Sequence, residues 1–176
     1  MVNVKKINDI IIYFADNVSD LTVTKLMKLF YYVDFISFAE KEKTVTNDIY
    51  YKLPYGPVPS FIKNEIDTLA FNTELGKIDP DIGVKDQQLS KYVELKKKKF
   101  GNHSGFIIVS KKKRDSTLQN LSKYEIELLK KVVVKYGKKT AKYLSDKTHK
   151  EKPYLLTNEN AVIDYKLAKM LDLRTI

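Results

Sequence analysis

The sequence predicts an α+β fold that is mainly helical, with about five to six helices and a small antiparallel β-sheet. Three observations carry that prediction. Apolar residues recur at steps of three and four through the N-terminal stretch, short β-branched and aromatic runs follow between turn residues, and a Ser-x-x-Glu box opens another periodic stretch at Ser122.

Val4, Ile7, Ile11, Phe14 and Val18 share one face of a helix from about residue 3 to about residue 19. The polar stretch Asn17 to Asp20 separates it from a second helix with Thr22 as N-cap. In that helix Leu26, Leu29, Phe30, Val33 and Ile36 line one stripe, and Lys25, Lys28 and Glu40 are expected outside it. Ile49, Tyr50 and Tyr51 predict a short strand near 48–53, ended by Pro54.

Tyr55-Gly56-Pro57-Val58-Pro59 then reads as a rigid chain reversal, because Gly56 admits conformations closed to other residues and Pro57 pre-sets the turn. Pro59 is expected in the first turn of a third helix whose stripe is Phe61, Ile62, Ile66, Leu69 and Ala70, fraying near Asn72. Leu75 to Gln88 reads as a surface loop. Tyr92–Leu95 and Phe106–Val109 predict a hairpin near 91–110, with Gly101 to Gly105 at its tip.

Ser122 and Glu125 form a capping box, and Leu121 is placed to staple onto Ile126. Ile126, Leu129, Val133 and Tyr136 mark the buried face of the helix that follows, and Gly137 suits a left-handed residue at its end. A short helix is expected over Thr140 to Thr148, with Pro153 stopping any helix and fixing an extended residue before it. Ala161 to Leu171 reads as the last helix. No repeat or linker divides the chain, so residues 1–176 are expected to form a single domain.

Composition narrows the function classes. Charges such as Lys28, Asp34 and Glu40 interrupt every apolar run, so no membrane partner is expected. The N-terminal segment lacks the apolar region of a signal peptide, and cysteine is absent, which together point to a cytoplasmic protein. The net charge of +10 raises nucleic acid as a partner. Yet all but Arg114 and Arg174 of the 32 basic residues are lysine, whereas base edges and bidentate phosphate contacts favour the guanidinium fork, so that partner is not favoured.

Enzyme chemistry finds few candidates. No G-x-S-x-G elbow, P-loop, dinucleotide fingerprint or H-E-x-x-H occurs, so neither a cofactor nor a metal is expected. His103 and His149 are the two histidines; His103 reads as solvated in its hairpin tip. His149 and Glu151 stand close enough to share a proton or a metal, but a histidine at a helix C-terminus more commonly bonds the free carbonyls there. The runs Lys96–Lys99 and Lys111–Arg114, near Tyr92 and Phe100, read as solvated edges in preference to a single-strand groove.

Thr22-Val23-Thr24-Lys25-Leu26-Met27-Lys28-Leu29-Phe30-Tyr31, then Tyr55-Gly56-Pro57-Val58-Pro59, then Leu121-Ser122 through Tyr136-Gly137 and Leu144-Ser145 to Thr148-His149-Lys150-Glu151-Lys152-Pro153-Tyr154 resemble, in order and spacing, the Panacea antitoxin domain of the SocA-like family. The likeness runs from about residue 5 to about residue 155. Two departures stand out: Tyr154 occupies a position where the family usually has tryptophan, and Tyr50 to Pro54 replaces its common Ala-Trp approach to the turn. The resemblance implies a non-enzymatic antitoxin, often borne by phages or mobile elements, that binds and neutralises a partner protein toxin by sequestration or by delivery to a protease. The alternative is a nucleic-acid-binding transcriptional regulator.

By position, partner contacts are expected at Tyr55, Val58, His149, Glu151 and Tyr154, with Lys25, Lys28 and Tyr31 as a charged rim. Twelve tyrosines are more than a core of this size is expected to hide, which favours exposed aromatic anchors. Gly56, Pro57, Pro59 and Pro153 are expected to shape the turns.

Overall fold

Residues 1–74, 92–111 and 118–175 are described by a computed structural model, excepting the side chains of His103 and Thr175. Among these residues the chain is mainly helical, with two two-stranded antiparallel sheets. In order it forms α1 (Val4–Asn17), α2 (Val23–Lys41), β1 (Tyr50–Leu53), β2 (Gly56–Pro59), α3 (Ser60–Glu74), β3 (Val93–Phe100), β4 (His103–Ser110), α4 (Lys123–Tyr136), α5 (Ala141–Thr148) and α6 (Lys152–Leu155). Two 3-10 segments, Tyr165–Met170 and Leu173–Thr175, follow. The loop expected over Leu75 to Gln88 lies outside the described residues.

The helix starts follow the sequence closely. Thr22 accepts from the Lys25 N–H, Thr140 from the Tyr143 N–H, and Ser122 and Glu125 close both arms of the capping box. α3 is capped from a distance: Asp48 accepts from the N–H groups of Phe61 and Ile62 at 2.9 and 3.0 Å. It therefore starts at Ser60, and Pro59 closes β2 instead of entering the first helical turn.

α2 is the centre of the molecule, and one expectation about it fails. Every residue from Lys25 to Ser37 is buried, because α4, α5, β2 and the Tyr165–Met170 segment pack around the helix. Lys25 and Lys28, expected outside the apolar stripe, are 3% and 1% exposed. A helix enclosed on all sides has no polar face to present. Asp34 is buried with them, accepting from the N–H groups of Val45 and Thr46 at 2.7 and 2.8 Å, the Thr46 hydroxyl at 2.5 Å and the Tyr50 hydroxyl at 2.9 Å. Burial pushes its carboxyl up to about 6, against the pull of those donors. The aromatic core continues through Tyr32 stacked on Tyr136, centroids 4.2 Å apart, and Phe14 edge-on to Phe30.

The segment Tyr55 to Pro59 is also different from the reversal expected of it. The tip is Pro54-Tyr55, and Gly56 to Pro59 is a strand paired with β1 in the register Tyr50↔Pro59 to Leu53↔Gly56. Two prolines fit because of alternation. Lys52 donates its N–H to Ala161 and accepts from Asn160, and the Tyr50 carbonyl accepts from Ile163, so these two residues turn their polar groups away from β2. Their partners Pro57 and Pro59 owe the ladder nothing, and their missing N–H groups cost no hydrogen bond. β1 is thus covered on both edges.

The second sheet is longer than expected, since Lys96 to Lys99 lie within β3 and the tip narrows to Gly101-Asn102. It is separate from β1–β2, and the Ile108 N–H donating to the Leu21 carbonyl ties it to the α1–α2 turn.

Further differences lie toward the C-terminus. α4 buries Leu128, Leu129, Val132 and Tyr136, whereas Ile126 and Val133 are half-buried. Gly137 is right-handed, at φ −58°. Pro153 sits inside the first turn of α6, where its missing N–H is harmless, and the extended residue is Glu151. Ala161 and Val162 run along β1, so the last helical piece begins only at Tyr165 and is 3-10. No helix among the described residues is long and apolar enough to cross a membrane.

Candidate functional site

Most of the sequence-predicted site residues converge on the β1–β2 hairpin. Four of its backbone carbonyls are each held by a side chain from another element. The Lys28 ammonium of α2 donates to the Pro57 carbonyl at 2.8 Å, and the Ser145 hydroxyl of α5 to the Tyr55 carbonyl at 2.9 Å. The His149 Nε2 lies 3.0 Å from the Pro54 carbonyl, and the Tyr154 hydroxyl of α6 donates to the Leu53 carbonyl at 3.0 Å.

Gly56 follows directly on the tip and is buried there. Its φ is +101°, a region costly for any residue with a Cβ, and a Cβ there would stand 2.9 Å from Lys28 Cε, Lys28 Nζ and Thr148 Oγ1. Glycine is required both by the backbone and by the approach of Lys28. Burial, with no acidic partner among the described residues to offset it, pushes the Lys28 ammonium down to about 7.

His149 caps α5 and joins it to the hairpin tip. Its Nδ1 is 2.5 Å from the Ser145 carbonyl, and carbonyls only accept, so both ring contacts are hydrogen bonds only when both nitrogens carry a proton. The ring also packs edge-on against Tyr154.

Glu151 belongs to an adjoining, deeper cluster. Its Oε1 accepts from the Tyr32 hydroxyl at 3.1 Å and pairs with Lys147 at 3.3 Å. Burial raises its pKa, with Lys147 opposing the shift. Glu151 Oε2 and the hydroxyls of Tyr31 and Tyr136 are buried without a hydrogen-bond partner among the described residues. Tyr31 lies toward the same carboxylate without closing a bond to it, and its pKa is driven well up by burial first and by Glu151 second.

What the hairpin offers to the outside is its tip, where Pro54 is exposed and Tyr55 is 77% exposed. The exposed apolar side chains Ile49, Leu155 and Leu156 belong to the segments directly flanking it, before β1 and at the end of α6. Tyr154 and Val58, in contrast, are buried.

Lys25, Lys28 and Tyr31 form no charged rim: Tyr31 is fully buried with the two lysines. Lys25 is also remote in role, donating to the carbonyls of Ser19 at 2.8 Å and Gly137 at 2.7 Å and thereby tying the α1–α2 turn to the end of α4. The tyrosines are mostly hidden or half-hidden as well, leaving Tyr55 and Tyr143 as the exposed ones. Ser145 and Thr148 were given no role in the sequence, although both lie in the segments that carried the resemblance, and Pro54 was read only as the end of a strand. The side chain of His103 lies outside the description.

The family model described as Antitoxin SocA-like, Panacea domain matches residues 26–154, a span that holds α2 from its fourth residue on, both hairpins, α3, α4, α5 and the Tyr154 contact. No curated protein and no solved structure matches the chain.

Proposed function

The chain belongs to the SocA-like antitoxin family, and from that membership we propose that it neutralises a partner protein toxin by binding it at the tip of the β1–β2 hairpin. The observation that carries this reading is Tyr55: an aromatic ring 77% exposed on a backbone whose carbonyls at Leu53, Pro54, Tyr55 and Pro57 all meet side chains from elsewhere. Tyrosine is enriched among residues that dominate binding energy. A tip ordered before the encounter loses little freedom when it binds, so more of the contact energy appears as affinity.

His149, Tyr154 and Lys28 act as positioning residues for that tip, and no reaction is assigned to His149 or Glu151. The chain works in this reading as a single domain that either sequesters the toxin or presents it to a protease; both routes require the same binding step.

Co-expression tests the proposal. The neighbouring open reading frame is expected to arrest growth alone, to be tolerated when this chain is present, and to co-purify with it. Loss of both rescue and co-purification would sink the antitoxin reading.

A further inference from the structure

We propose a second docking surface: the groove between the β3–β4 hairpin and the α4–α5 turn receives an acidic segment of the protein partner, with an apolar side chain seated on Phe100 and Phe106. This extends the partner-binding reading above and rests on it. The groove encloses about 580 Å³, enough for a few side chains of an extended segment.

Its chemistry is lopsided. Lys138, Lys139 and Lys142 stand on the wall formed by the α4–α5 turn, and Lys25 lies beneath with its ammonium on backbone carbonyls instead of a carboxylate. The acid in the lining is Asp20, already paired with Lys98 at 2.5 Å. α2 and α5 both begin at the groove, so the positive ends of two helices add to the lysines. Phe100, 39% exposed, and the half-buried Phe106 supply the apolar patch on the hairpin side.

A protein segment fits this arrangement better than a nucleic acid. A phosphate backbone gains most from cations spaced along its track. Here the positive charge is gathered at the α4–α5 turn, across from Asp20 and two phenylalanines; Lys142 pairs with Asp146 at 2.9 Å, and Lys138 and Lys139 carry no ion pair among the described residues. Carboxylates clustered around one apolar anchor match that spacing.

The test titrates the full-length, isotope-labelled chain, followed by amide NMR shifts, with three probes: a glutamate-rich peptide carrying one phenylalanine, the same peptide with lysine for glutamate, and single-stranded oligothymidine. Saturable shifts at Thr24, Phe106 and Ala141 are expected with the acidic peptide, weakened about tenfold or more in the Lys138→Glu/Lys142→Glu variant. Both lysines are exposed, and an unchanged spectrum of the free variant verifies its fold. Absence of saturation, equal binding by the variant, or tighter binding of oligothymidine at the same amides would overturn the proposal. Failed toxin rescue and co-purification with the groove titration intact would instead strike the antitoxin reading and leave the groove's preference for an acidic segment standing.

Discussion

The two hairpins reach order by opposite routes. β3–β4 pairs eight residues with eight and carries its own ladder, docking on the rest of the chain through Leu21 and Thr22. β1–β2 pairs only four with four, and two of those are prolines. An isolated hairpin of that length is marginal in water. Its rigidity is imported: Lys28, Ser145, His149 and Tyr154 grip its carbonyls, and residues 160–163 cover the far edge of β1. A long ladder stabilises itself, whereas a short one pinned from outside holds a tip in place for presentation.

Changes at the supports of the short hairpin should therefore cost far more than changes on the long one. Asp34→Asn has the largest expected effect, about 3 kcal/mol in urea unfolding, because the amide turns a donor toward a ring of donors from Val45, Thr46 and Tyr50 that delivers β1. Gly56→Ala follows at about 2 kcal/mol, combining a left-handed backbone with a clash on Lys28 and Thr148.

Lys28 gives a pH signature. Its folded pKa is about 7, and that of the unfolded chain is about 10.4, so between those values the unfolded state binds the extra proton. Its contribution to stability accordingly grows as pH rises from about 7 to about 10. In Lys28→Met that part of the rise disappears, while hydrogen exchange at the hairpin speeds up because the Pro57 carbonyl has lost its donor. Lys99→Thr, at an exposed position near the tip of β3, should stay within about 0.5 kcal/mol of the parent. A large loss there, or none at Gly56, would break the contrast between the hairpins.

Two N-cap signals in the sequence were faithful, whereas the local readings of Pro59, Gly137 and Pro153 were not. The caps at Thr22 and Ser122 sit where the residue patterns put them, because a cap is settled within a few residues. Partners far along the chain were illegible. Lys28 finds its acceptor 29 residues away and Lys25 one of its acceptors 112 residues away, so nothing local marks either lysine as interior. The two prolines of β2 read as a turn because the segment that takes up the outward groups of β1 lies about a hundred residues downstream. The same reason hid most of the site: the family segments named the right neighbourhood, but which of their residues is exposed depends on tertiary packing, and Tyr55 alone among the expected aromatic contacts protrudes.

The central claim is that the hairpin is built to present Tyr55, and Tyr55→Ala tests it most directly. With the co-purifying toxin in hand, the melting temperature and the dissociation constant of parent and variant are measured side by side. The expected result is an unchanged melting temperature, since the ring is 77% exposed, with affinity weakened about thirtyfold, the loss of roughly 2 kcal/mol typical of an aromatic anchor. Unchanged affinity in a folded variant would contradict the claim and move the toxin contact elsewhere on the molecule.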